Sequence, residues 1–123
     1  MSTKANISET NTENVFRTFY GANTFIEKSA IPKEYGFVSK KKGSSNDGYP
    51  DFFKDQKDYC IIVEAKKLDL QQAEKEVQLY MKENKIDVDL IGIAVSGQTI
   101  ETIQVSYFIK ENGVDEIRRI EKV

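Results

Sequence analysis

Residues 59–66, YCIIVEAK, constrain this chain more than any other stretch. Apolar residues fall on both faces of an extended run, so the segment reads as a central strand covered on both sides. The same run carries Glu64 and Lys66 at its end. Two residues apart on a strand, they share a face, with Cα atoms about 7 Å apart. Burying charge is costly unless the charges are paired or bound to a cation. The end of this strand therefore asks for a chemical explanation.

Composition narrows the chemistry. The chain has no histidine, which excludes Ser-His and Cys-His hydrolases and a histidine-ligated zinc site. Acid-base or metal chemistry must come from carboxylates, Lys or Tyr. A single cysteine, Cys60, allows no internal disulfide and suggests a reducing, cytoplasmic setting. Its place in the strand marks it as a small buried apolar residue. The 123 residues form one domain, with 39% hydrophobic and 31% charged residues. No apolar run approaches the roughly 20 residues that span a bilayer, so no membrane association is expected. The polar start, MSTKANISETNTEN, does not read as a signal peptide. Net charge is −2, but residues 1–50 hold seven Lys/Arg against five Asp/Glu, and the remainder eleven against fifteen. A nucleic-acid surface would have to be local.

Along the chain, residues 1–9 read as a flexible tail and residues 10–123 as a single domain. A helix is expected from Asn11, with Asn11 or Thr12 as its cap and Gly21 as its end. Residues 22–30 suggest a second short helix. Residues 40–48, KKKGSSNDG, are a loop by composition. Pro50 opens a short strand, and 54–58 form a polar turn. A helix follows the central strand, capped by Asp69, with Leu70, Ala73, Val77, Tyr80 and Met81 turned inward. Strands are expected at 89–96 and 102–110. Asn112-Gly113 is a turn before a last short strand or helix near 115–120. This order predicts an α/β domain: a central mixed sheet flanked by helices on both faces.

If the segment after Pro50 pairs with the central strand, a strand spacing of about 4.8 Å brings Asp51 beside Glu64. Two carboxylates about 4 Å apart repel by about 4 kcal/mol at an effective dielectric of 20. A divalent cation between them reverses that sign. Hard oxygen ligands, with the backbone carbonyl of Ala65 as a further donor, suit Mg2+, for which Mn2+ can substitute. Such an ion lowers the pKa of bound water and polarises a phosphate oxygen. Lys66 adds an ammonium that stabilises charge on phosphorus or orients the attacking water. The residue types suit phosphodiester hydrolysis. Taken alone, an ExK on a strand is most often a surface ion pair. Here the apolar flanks and the upstream Asp51 favour the catalytic assignment of Asp51, Glu64 and Lys66. The lysines Lys40, Lys41 and Lys42, with Lys67 near the strand end, are candidate contacts to a phosphate backbone.

The pattern "PD", twelve intervening residues and "EAK" resembles the signature of the PD-(D/E)xK nucleases. The following helix, with Ala73 and Tyr80, and the strand "IGIAVSG" extend the likeness over about residues 12–110. It is similar to the N-terminal endonuclease domain of restriction-modification polypeptides that also carry an adenine methyltransferase, and to type I restriction subunits. The resemblance implies a restriction-endonuclease-like core, metal ligation by Asp51 and Glu64, and Glu13 as a further ligand from the first helix. It implies double-stranded DNA as substrate. Methyltransferase, specificity or motor domains would lie in the same polypeptide or complex, and a double-strand break would need two copies meeting on DNA or sequential nicks. Many such nucleases carry Gln four residues before the helix tyrosine, where this chain has Glu76. Glu76, Gln72, Gln78 and Tyr80 are the polar groups this helix offers to the site. Two alternatives stand beside this expectation: a structure-specific nuclease such as a Holliday-junction resolvase, and a non-catalytic DNA-binding or assembly domain that keeps the nuclease fold.

Overall fold

A computed structural model describes residues 9–21, 25–37 and 49–120. The central strand forms over the whole expected range, as β3 (Tyr59–Lys66), in a single six-stranded sheet. In chain order its neighbours are β1 (Ile26–Glu27), β2 (Phe52–Asp55), β4 (Asp89–Ser96), β5 (Gln104–Lys110) and β6 (Arg118–Ile120). The strands lie side by side in that same order, β1 to β6. Only β3 and β4 run parallel, in register from Tyr59 opposite Asp89 to Lys66 opposite Ser96. Every other neighbouring pair is antiparallel, so the sheet is mixed.

The parallel step needs a crossover, and α2 (Leu70–Lys82) supplies it. Asp69 caps this helix as expected, its side chain accepting from the Gln72 N–H at 3.0 Å. Ala73, Val77, Tyr80 and Met81 form the buried stripe, packed with Cys60 and Ile62 of β3. Gly92 of β4 lets that stripe approach closely: a Cβ there would run into the Met81 side chain and crowd Val77. The other helix, α1 (Glu9–Tyr20), sends Phe16 to the opposite face, against Phe52, Val63 and Ala65. Alternate residues of β3 thus feed two cores, one under each helix, and Ile62 and Val63 are both fully buried. Each such side chain contributes about 1.5–3 kcal/mol of burial. The molecule is α/β, a mixed sheet with helices on both faces.

Two local expectations need correcting. The first helix begins at Glu9, ahead of Asn11 and Thr12, so neither caps it. Its end is as expected: Gly21 has φ +96°, and its N–H donates to the Arg17 carbonyl at 2.7 Å. Within 22–30 the described residues form no α-helix. Ile26–Glu27 is a two-residue strand paired with Phe52 and Phe53, and Lys28–Ala30 is one 3-10 turn. Pairing with β2 decides this segment, over its own helical propensity.

Candidate active site

Glu64 follows Cys60 and Ile62 on the α2 face of β3, four and two residues on. One step beyond the Phe52–Val63 pair of β2 and β3, Asp51 comes opposite Glu64. The two residues are linked directly. The Asp51 N–H donates to Oε1 of Glu64 at 3.1 Å, and Oδ2 of Asp51 accepts from the Ala65 N–H at 2.8 Å. The Asp51 N–H also reaches the Val63 carbonyl at 3.0 Å. Glu64 is 0% exposed and Asp51 4%. Glu64 on β3 and Asp51, one residue ahead of β2, are thus both buried, and backbone N–H groups hold an oxygen of each carboxylate.

Lysines stand close to this pair. The Lys28 ammonium is 2.9 Å from Oδ1 of Asp51. Lys66, two residues beyond Glu64 on the same face, reaches the helix above it. Its Nζ lies 3.0 Å from Oε1 of Glu76. Gln72, one turn earlier on α2, donates to the other Glu76 oxygen at 2.7 Å. Glu76 is thus the polar group of α2 that meets the strand end. Gln78 donates to the Glu74 carbonyl of its own helix. Tyr80 is 1% exposed, with its ring edge-on to Phe37 at 5.8 Å in the core.

The carboxyl ends of β3 and β4 are tied to α1. Thr12, fully buried, donates from Oγ1 to the Gly97 carbonyl at 2.7 Å, with the Lys66 carbonyl at 3.3 Å. Gln98 donates through Nε2 to Thr12 Oγ1 and to the Lys67 carbonyl, both at 3.1 Å. Asn11 donates to Oε1 of Gln98 at 2.8 Å. Gly97 has φ +123°, and a Cβ there would meet the backbone of Thr102 and Ile103, so this junction requires glycine.

Glu13 sits on α1 with Oε1 3.7 Å from Nη2 of Arg17. Arg17 grips Glu27 through two bonds, at 2.6 and 2.7 Å, and lies over the Phe52 ring at 5.3 Å. Its guanidinium is held above its ordinary pKa, first by the Glu27 bond, with smaller contributions from Glu13 and Asp51. Lys67 is exposed, and Lys40, Lys41 and Lys42 lie outside the described residues.

The donor set can be tested against a divalent ion. Among the described residues no group of three or more Asp, Glu or Cys side chains gathers around one point. The site offers the paired carboxylates of Asp51 and Glu64. Two carboxylates with remaining positions filled by water and substrate phosphate suit Mg2+. They sit at the carboxyl end of β3, where open α/β sheets place ligand sites.

Sequence reasoning overlooked Lys28, Thr12, Arg17 and Gln98. Lys28, Thr12 and Gln98 act through partners distant in sequence, and Arg17 grips Glu27 ten residues on, so no local spacing marks these contacts. Compared with family models, with curated proteins and with solved structures, the chain matches none. Among the described residues no helix is long and apolar enough to cross a membrane.

Proposed function

We propose that this chain is a magnesium-dependent DNA endonuclease domain of the PD-(D/E)xK kind, serving a restriction-modification system. The observation that carries the proposal is that two buried acidic residues, Asp51 just ahead of β2 and Glu64 on β3, lie side by side, with the Asp51 N–H bound to the Glu64 carboxylate. A divalent cation shared by two neighbouring carboxylates would offset the repulsion between them. Asp51 and Glu64 would hold the ion. When bound, it would acidify a water ligand and neutralise charge on a phosphate oxygen. Lys66, aimed by Glu76, presents an ammonium to the attacking water or to the charge that grows on phosphorus. The water oxygen bonds to phosphorus as one phosphorus–oxygen ester bond breaks, and a proton from water passes to the leaving oxygen, giving a phosphate monoester end and a hydroxyl end. Lys28, paired with Asp51, and Lys66, paired with Glu76, are the ammonium groups a phosphate entering there would meet.

Incubation of supercoiled plasmid with the protein and Mg2+ or Mn2+ tests the proposal. Wild type nicks the plasmid, and Asp51→Ala and Lys66→Ala do not. DNA binding without any cutting by wild type would instead support the binding-module alternative. A strong preference for four-way junctions would move the substrate to the resolvase class.

A further inference from the structure

We propose that Lys28 is a built-in counter-ion, holding Asp51 in the ion-free protein and leaving when a divalent cation binds. It rests on the assignment of Asp51 and Glu64 as ion ligands. The two oxygens of Asp51 have different partners: Oδ2 takes the Ala65 N–H, and Oδ1 takes the Lys28 ammonium at 2.9 Å. Oδ2 points into the sheet backbone, so Oδ1 is the oxygen presented to a cation from outside. A carboxylate oxygen can accept two partners, but an ammonium and a divalent cation on one oxygen repel.

The pair is built to release. The Asp51 side chain is 3% exposed, whereas that of Lys28 is 57% exposed. The buried partner needs a counter-charge, and the exposed one can return to water on a flexible four-carbon stem. Release of the side chain does not free the segment. The Lys28 N–H donates to the Asp51 carbonyl at 3.1 Å, continuing the β1–β2 pairing by one step. Lys66 differs in that its carboxylate partner, Glu76, comes from α2. The displaced ammonium stays within a side chain's length of Asp51, where it meets the phosphate that approaches the ion.

Two measurements test this on the whole DNA-free chain. The first is calorimetric titration with Mn2+ of wild type, Lys28→Met and Asp51→Asn. Removal of the competitor makes Lys28→Met bind up to about fivefold tighter, as loss of a partly exposed ion pair implies. Asp51→Asn loses the binding. The second uses wild type alone, so it stands even if Lys28→Met fails to fold. Lysine acetylation by an activated ester, read by mass spectrometry, rises several-fold at Lys28 on saturation with Mn2+. Mn2+ affinity in Lys28→Met equal to or weaker than wild type, or acetylation of Lys28 unchanged or reduced by Mn2+, overturns the proposal while leaving the ion site standing. Absence of Asp51-dependent Mn2+ binding in wild type overturns both.

Discussion

The Lys66 ammonium lies 3.0 Å from Oε1 of Glu76, and the two side chains are only 18% and 12% exposed. A strand and the helix that follows it are thus joined by a largely buried charge pair at the candidate site. Glu76→Gln keeps the hydrogen-bonding shape toward Gln72 and removes the charge that aims Lys66. Its stability should fall by less than about 1 kcal/mol, against about 1–3 kcal/mol for Glu76→Ala. The rate of plasmid nicking by Glu76→Gln should drop about tenfold in kcat with KM little changed. Lys66→Ala should lose about a hundredfold or more. A fall confined to KM would mean that Glu76 serves DNA binding alone.

Thr12 is the second test of how the site is held. Its hydroxyl joins α1 to the last carbonyls of the parallel strand pair, and it is fully buried. Thr12→Val preserves shape and strands the Gly97 carbonyl and the Gln98 amide without that partner. Urea denaturation should show a loss of about 1–3 kcal/mol. An unchanged midpoint would mean that water replaces the hydroxyl at no cost.

Acid should weaken the fold through three carboxylates. Arg17 holds Glu27 below the usual range by hydrogen bonding, the Lys57 N–H and then Tyr35 do the same for Asp55, and Arg119 and then Ser106 for Glu74. A carboxyl whose folded pKa is depressed adds stability above its unfolded value, and that stability disappears as pH falls through the folded value. Unfolding free energy should therefore be level from pH 7 to about pH 5 and decline below about pH 4. Glu27 and Asp55 are well solvated, so each accounts for less than about 1 kcal/mol. Glu27→Gln should be slightly less stable at neutral pH and show a shallower acid decline. An equal decline in wild type and variant would remove Glu27 from the account.

Cys60 should be chemically quiet. It is 2% exposed, and burial, together with the Asp55 carboxylate, pushes its thiol up to about 11. At pH 8 about one molecule in a thousand then carries a thiolate. Reaction with a disulfide reagent should be very slow in the native protein and fast in urea. Rapid native labelling would place Cys60 at the surface.

The centre of the fold was legible in the sequence because its signals are local and strong. β3 and β4 occupy the expected ranges, since each is a near-continuous apolar run. α2 starts where Asp69 caps it and buries the expected stripe. The pairing of Asp51 with Glu64 followed from one assumption about which strand lies next, which the structure bears out. Shorter and more distant features were not legible. Ile26–Glu27 is a strand only because Phe52 and Phe53 pair with it. Thr12 looked like a helix cap because a threonine near a helix start usually is one, yet its hydroxyl reaches Gly97 and Lys66. Lys28 meets Asp51 across 23 residues of sequence, and nothing in its own neighbourhood announces that contact.

The central claim is that Asp51 and Glu64 share one divalent ion, and a crystal soaked in Mn2+ tests it most directly. An anomalous-scattering peak is expected within about 2.2 Å of a carboxylate oxygen from each residue, and is lost in Asp51→Asn. A well-ordered crystal at saturating Mn2+ with no peak between those two side chains would contradict it.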